Sequence, residues 1–71
     1  MESKDRTWDL PLKLSDVVRR LRERDRYVEL HIASEGIIWE VGIAGRYPAI
    51  ARGDSIDLVT MHAVELSEAI K

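Results

Sequence analysis

A chain of 71 residues without a cysteine can bury one small core at most, and it has neither disulfides nor thiolate metal ligands to reinforce it. Hydrophobic residues at 45% argue against a disordered chain, and charged residues at 34% interrupt every run long enough to span a bilayer. A net charge of −2 gives no overall pull toward nucleic acid or anionic lipid, so a single soluble, cytoplasmic domain over residues 1–71 is expected, with self-association as the natural support for so small a core.

Residues 1–7 are polar and expected to be disordered. Trp8, Leu10, Leu12 and Leu14 alternate with polar residues and proline, which reads as an extended arm over residues 8–14. Ser15 is a good N-cap, Asp16 suits the positive first turn of a helix, and Leu14, Val17, Val18 and Leu21 follow the i, i+3, i+4, i+7 spacing of a core-facing stripe. That helix is expected to end near Arg26, where the period changes to two: Val28, Leu30 and Ile32 alternate with Tyr27, Glu29 and His31. Ser34-Glu35-Gly36 is a turn signal before a second β-rich run, Ile37 to Ala44. Setting Ile32 against Trp39, Leu30 against Val41 and Val28 against Ile43 makes one face wholly apolar, and it places His31 opposite Glu40.

Gly45-Arg46 reads as a second tight turn into a strand from Tyr47 to Arg52, with Pro48 tolerated at a sheet edge. Val41 then faces Ile50, and Trp39 faces Arg52 with the guanidinium over the indole. Asp54 or Ser55 can cap a last helix whose stripe is Val59, His62, Ala63, Leu66 and Ile70; the β-branched segment 56–60 is alternatively a fourth strand. The expected fold is α+β in the order αβββα, a three-stranded antiparallel meander with two helices packed on one face.

The order helix, three strands, helix resembles the topology of double-stranded-RNA-binding domains, and its strand-strand-strand-helix part resembles the antitoxin domains called HicB. The former likeness implies a lysine-rich start to the last helix that grips phosphates and a proline-containing loop between the first strands that enters a minor groove. Here Arg52-Gly53-Asp54-Ser55-Ile56-Asp57 opens the last helix with two aspartates and no lysine, and the first loop is Ser34-Glu35-Gly36. The resemblance therefore assigns no functional residue to this chain.

No glycine-rich phosphate loop is present, the two histidines His31 and His62 fall on different elements, and no nucleophile comes with a base, so neither enzymatic activity nor a cofactor or metal is expected. Glu29, His31 and Glu40 offer at most a loose, three-ligand arrangement, read more simply as cross-strand pairing. The arginine run Arg19, Arg20, Arg22, Arg24 and Arg26 is expected to pair with its own helix, Asp16 with Arg20, Glu23 with Arg19 and Arg26, and Arg22 with Asp25. Left unpaired, Arg19, Arg22 and Arg26 would instead be the phosphate contacts of a nucleic-acid-binding module.

The leading expectation is a small non-catalytic regulatory or accessory protein acting through protein–protein contacts, as a homodimer. Its partner-binding candidates are Tyr27, His31, Ile38, Tyr47, Ala49 and Ala51, around a flat strip of Gly42 and alanines on the open sheet face, together with Met61 and Val64 on the outer side of the last helix. The arm or the last helix covering that strip within one chain is the competing arrangement. Nucleic-acid binding through the first helix is the alternative function, and small-molecule binding a third.

Overall fold

The computed structural model describes residues 12–71, and the expected disordered segment and most of the arm lie outside that range. The elements run α1 (Leu14–Arg22), β1 (Glu29–Glu35), β2 (Ile38–Ala44), β3 (Ala49–Gly53) and α2 (Ile56–Glu68), and the strands form an antiparallel meander in the order β1-β2-β3. This is the α+β architecture read from the sequence, with residues 56–60 helical.

Of the expected stripe in α1, Val17 and Leu21 are buried and Val18 is half-buried, whereas Leu14, in the first turn, is 53% exposed. The ends of α1 differ from expectation. Lys13, in extended conformation, occupies the N-cap without a side-chain hydrogen bond, so Ser15 and Leu14 are already helical. The helix also stops four residues early, because the Asp25 carboxylate accepts a hydrogen bond from the Tyr27 backbone N–H at 3.1 Å, a local alternative to continuing the helix.

The first hairpin turns on Gly36-Ile37, with Gly36 at φ 64°, the left-handed conformation glycine supplies at the first central position of a type II′ turn. The tight turn lengthens both strands and moves the register two residues from the expected one: Ile32 faces Val41, Leu30 faces Ile43 and Ser34 faces Trp39. A two-residue shift keeps every side chain on its face. His31 consequently faces Gly42, and Glu40 faces Ala33.

The second hairpin departs by one residue, which inverts β3. Val41 faces Ala51 and Glu40 faces Arg52, so Ala49 and Ala51 point to the covered side and Ile50 and Arg52 to the open side. Arg52 is thus not over Trp39; its Nε donates to Glu40 Oε2 at 2.7 Å. Residues 45–48 form a longer loop rather than a tight turn, held by two tertiary hydrogen bonds: the Arg46 N–H donates to Asp25 Oδ2 at 2.8 Å, and Ser67 Oγ donates to the Tyr47 carbonyl at 2.7 Å. Gly45, at φ 139°, lies so close to that carboxylate that a Cβ would collide with it.

Ser55 caps α2, its side chain accepting from the Leu58 N–H. The buried face of α2 is Val59, Thr60, Ala63, Val64 and Ser67, rotated from the expected stripe, which leaves His62 and Leu66 exposed. Small residues explain the rotation: Ala63 and Ser67 on the helix meet a covered sheet face whose β3 contribution is Ala49, Ala51 and Gly53, so helix and sheet approach closely. The Thr60 hydroxyl is satisfied by donating to the Ile56 carbonyl at 2.7 Å. One core cluster unites Val17 and Leu21 of α1, Val41, Ile43 and Ala51 of the sheet, and Val59, Ala63 and Val64 of α2.

Candidate functional site

Three arrangements of polar residues join α1 and the turn that follows it to the rest of the molecule. Asp25 is buried, and its two carboxylate oxygens accept the backbone N–H groups of Tyr27 and Arg46, tying the loop after α1 to the loop before β3. Arg20 makes a bidentate pair with Glu68, Nε to Oε2 at 2.6 Å and Nη2 to Oε1 at 2.8 Å. Arg24 reaches the end of α2, where Nη1 donates to the Ser67 carbonyl at 3.1 Å and Nη2 to the Ile70 carbonyl at 2.7 Å. Its guanidinium lies 3.8 Å from the centroid of the Tyr47 ring.

Because α2 has no basic residue in its last turn, Arg24 supplies from the turn after α1 both the hydrogen-bond donors and the positive charge that a helix C-terminus needs. Arg24→Ala is expected to lower stability by about 2 kcal/mol, since hydrogen bonds from a charged donor contribute about 1.5–3 kcal/mol. Urea denaturation measures the loss, and hydrogen exchange should quicken at Ala69 and Ile70, whose amides bond to the Glu65 and Ser67 carbonyls.

The arginine run is therefore divided. Arg20 and Arg24 hold α2, and Arg19 lies 3.6 Å from Asp16 on an exposed surface. The helical pairing expected of Arg22 and Arg26 does not occur: no carboxylate lies within ion-pair distance of either among the described residues. Asp25 turns inward instead, and Arg26 stands 5.5 Å from the centroid of its neighbour Tyr27. Arg46, not singled out in the sequence, completes this corner. An Arg-Tyr dipeptide occurs twice, at 26–27 and 46–47, and Asp25 draws the two copies together.

The partner-binding candidates are dispersed. Tyr27 is 80% exposed, and His31 and Ile38 are exposed on the open sheet face, with His31 Nε2 3.3 Å from Glu29 Oε1. Tyr47 is half-buried beneath Arg24. Ala49 and Ala51 belong to the covered face and Ala51 is buried, so the flat open strip does not exist; the inversion of β3 turns its alanines toward α2, while Gly42 stays on the open face. Val64 is fully buried rather than exposed, and Met61 is half-buried. Ile50 takes the place of Ala49 and Ala51 on the open face, at 57% exposure, beside the Glu40–Arg52 ion pair.

The edge of the sheet at β1 is bare among the described residues. Glu35 and Ile38 close a two-residue hairpin, so they exchange both backbone hydrogen bonds, and alternation along the ladder then turns the peptide groups of Leu30, Ile32 and Ser34 outward. Natural edges are commonly blunted by lysine, proline or a bulge, and the seven residues ELHIASE contain neither lysine nor proline and pair without a bulge. Ile32 remains 40% exposed although it is in register with Val41 of the core.

Family models, curated proteins and solved structures yield no match to this chain. The chemistry must be read from the side chains alone. The hydroxyls of Ser55, Thr60 and Ser67 are engaged with backbone groups rather than with a base. Among the described residues no three His, Asp or Glu side chains converge, and no helix is long and apolar enough to cross a membrane. An enclosed hollow between Leu21, Arg24, Tyr47 and Ser67 measures about 10 Å³, room for one water at most.

Proposed function

We propose that this protein is a non-catalytic regulatory or accessory module that acts through protein–protein contact and associates with itself along β1. The bare β1 edge carries this reading. A second copy can add its own β1 antiparallel, so that outward peptide groups on each strand meet those of the other. The self-complementary registers open to such a pair include two with the axis near the middle of the strand. A two-fold axis at Ile32 pairs all seven residues but sets Glu29 against Glu35 of the other copy, twice, and like charges directly opposed are destabilising. An axis at His31 sets Leu30 against Ile32 and Glu29 against Ala33, which avoids that repulsion and covers the exposed flank of Ile32. The second register is the one we favour.

Sedimentation equilibrium tests it. The wild-type chain is expected to dimerise with a Kd of about 10 µM or tighter. Ile32→Lys, which places an edge lysine where natural sheets use one, is expected to be monomeric with an unchanged circular dichroism spectrum. Ile32 lies outside the core cluster, so the substitution leaves the fold standing. A wild-type protein monomeric at millimolar concentration, or an Ile32→Lys variant that dimerises as well as wild type, overturns the β1 interface.

A further inference from the structure

We infer that the corner formed by Arg22, Arg26, Tyr27 and Arg46 is a binding site for single-stranded nucleic acid. These residues border an open groove of about 350 Å³ where the end of α1, the loop before β1 and the loop before β3 meet. Three features distinguish the corner from an ordinary charged surface. Its guanidiniums are uncompensated: among the described residues, no carboxylate lies within ion-pair distance of Arg22, Arg26 or Arg46, although the chain as a whole is acidic. Asp25 borders the groove too, but both its oxygens accept backbone N–H groups and it pairs with none of these arginines, which leaves a lining of four guanidiniums against the two carboxylates of Glu23 and Asp25. Arg24, at the back of the groove, bonds carbonyls rather than a carboxylate, so the C-terminus of α2 offsets its charge only in part.

The third feature is the aromatic ring among the cations. Tyr27 is 80% exposed, and the Arg26 guanidinium sits 5.5 Å from its centroid. Phosphate-tracking arginines interleaved with an open aromatic face are what unpaired bases require, since every base has a face to stack and every linkage a charge to neutralise. A duplex hides those faces. A lipid surface would call for an apolar side chain to enter it, and the groove is bordered by charged residues and Tyr27 alone. The interaction is accordingly sequence-tolerant, with the three arginines on successive phosphates and Tyr27 under one base. Glu23 also borders the groove and opposes the ligand, which sets the affinity low and offers a gain-of-function substitution.

Fluorescence anisotropy with a labelled twenty-residue oligothymidine tests the site. Micromolar binding is expected at about 50 mM salt, with log K falling against log salt at a slope of about −2, the value for three cations on a single strand. Arg22→Gln and Arg26→Gln should each weaken binding several-fold and remove about one third of the slope. Tyr27→Ala should weaken binding roughly fivefold or more while leaving the slope unchanged, because stacking carries no counterion release. Glu23→Gln should tighten it about twofold. None of these four side chains makes a described hydrogen bond, so the fold is not at risk. Absence of binding at about 100 µM protein in low salt overturns the inference. So does equal affinity of the Tyr27→Ala variant, a preference for the matching duplex, or binding to phosphatidylserine vesicles without binding to the oligonucleotide. The readout is independent of self-association, since Ile32→Lys should bind the oligonucleotide even as a monomer.

Discussion

Asp25→Ala is expected to lower the unfolding free energy by about 3–4 kcal/mol, from a total that for a chain of this length is about 4–10 kcal/mol. The carboxylate accepts two backbone N–H groups, from Tyr27 and Arg46, and both lose their partner when it is removed. The site is buried, so water replaces those bonds poorly, and each orphaned donor costs about 1–3 kcal/mol. Asp25→Asn should fall between the two, because its amide can accept from only one of the N–H groups and turns a donor toward the other. Urea denaturation reads the difference as a shift in midpoint at constant slope. A loss below about 1 kcal/mol for alanine would mean that the two loops hold their conformation without the carboxylate, and that the corner built on them is not fixed by it.

The fold class was legible because both periodicities are strong where they matter. The stripe of Val17 and Leu21, the alternation of Leu30 and Ile32, and Ser55 at the head of α2 all have the meaning that local chemistry gives them. What was not legible depends on contacts between residues distant in sequence. Asp25 sits where a helical residue was expected, and nothing near it shows that its partners are the N–H groups of Tyr27 and of Arg46 across the fold. With Asp25 turned inward, the i±3 pairing with Arg22 vanished, and a surface that spacing would have neutralised is left cationic. The Tyr47 carbonyl's bond to Ser67 likewise goes with a four-residue loop in place of a two-residue turn, and one residue of slip inverts a strand. The alanines of β3, Ala49 and Ala51, are small for strand residues. Small residues on a strand allow a close approach, and composition alone does not say whether α2 or another molecule makes it. A clue was available in α2 itself, where Ala63 and Ser67 recur at the spacing of one face and answer Ala51 across the interface.

The inverted strand and the rotated helix make the same kind of prediction, a reversal between neighbours, and lysine substitution exposes it. Ala51→Lys is expected to abolish folding or cost more than about 4 kcal/mol, because it drives an ammonium group into the cluster that holds Val41, Val59 and Ala63. Ile50→Lys, one residue earlier, should change stability by about 0.5 kcal/mol or less, since Ile50 stands on the open face at 57% exposure beside a solvated ion pair. In α2 the contrast is Val64 against Leu66. Val64→Lys buries a charge at a fully enclosed position, whereas Leu66, 40% exposed, can carry a lysine whose stem lies along the helix and whose ammonium reaches water. Thermal denaturation of the four variants reads both contrasts together, with about 4–8 °C of midpoint shift per kcal/mol in a domain of this size. With Val41 against Ile50 instead of Ala51, the β3 pair would respond the other way round: Ile50→Lys would fail and Ala51→Lys would be tolerated. That outcome would restore the alanine strip to the open face and detach β3 from α2. Tolerance of all four lysines would mean that neither face is packed at all, which the close fit of Ala51 and Ala63 within one cluster argues against, because a core this small has no second set of residues to replace them.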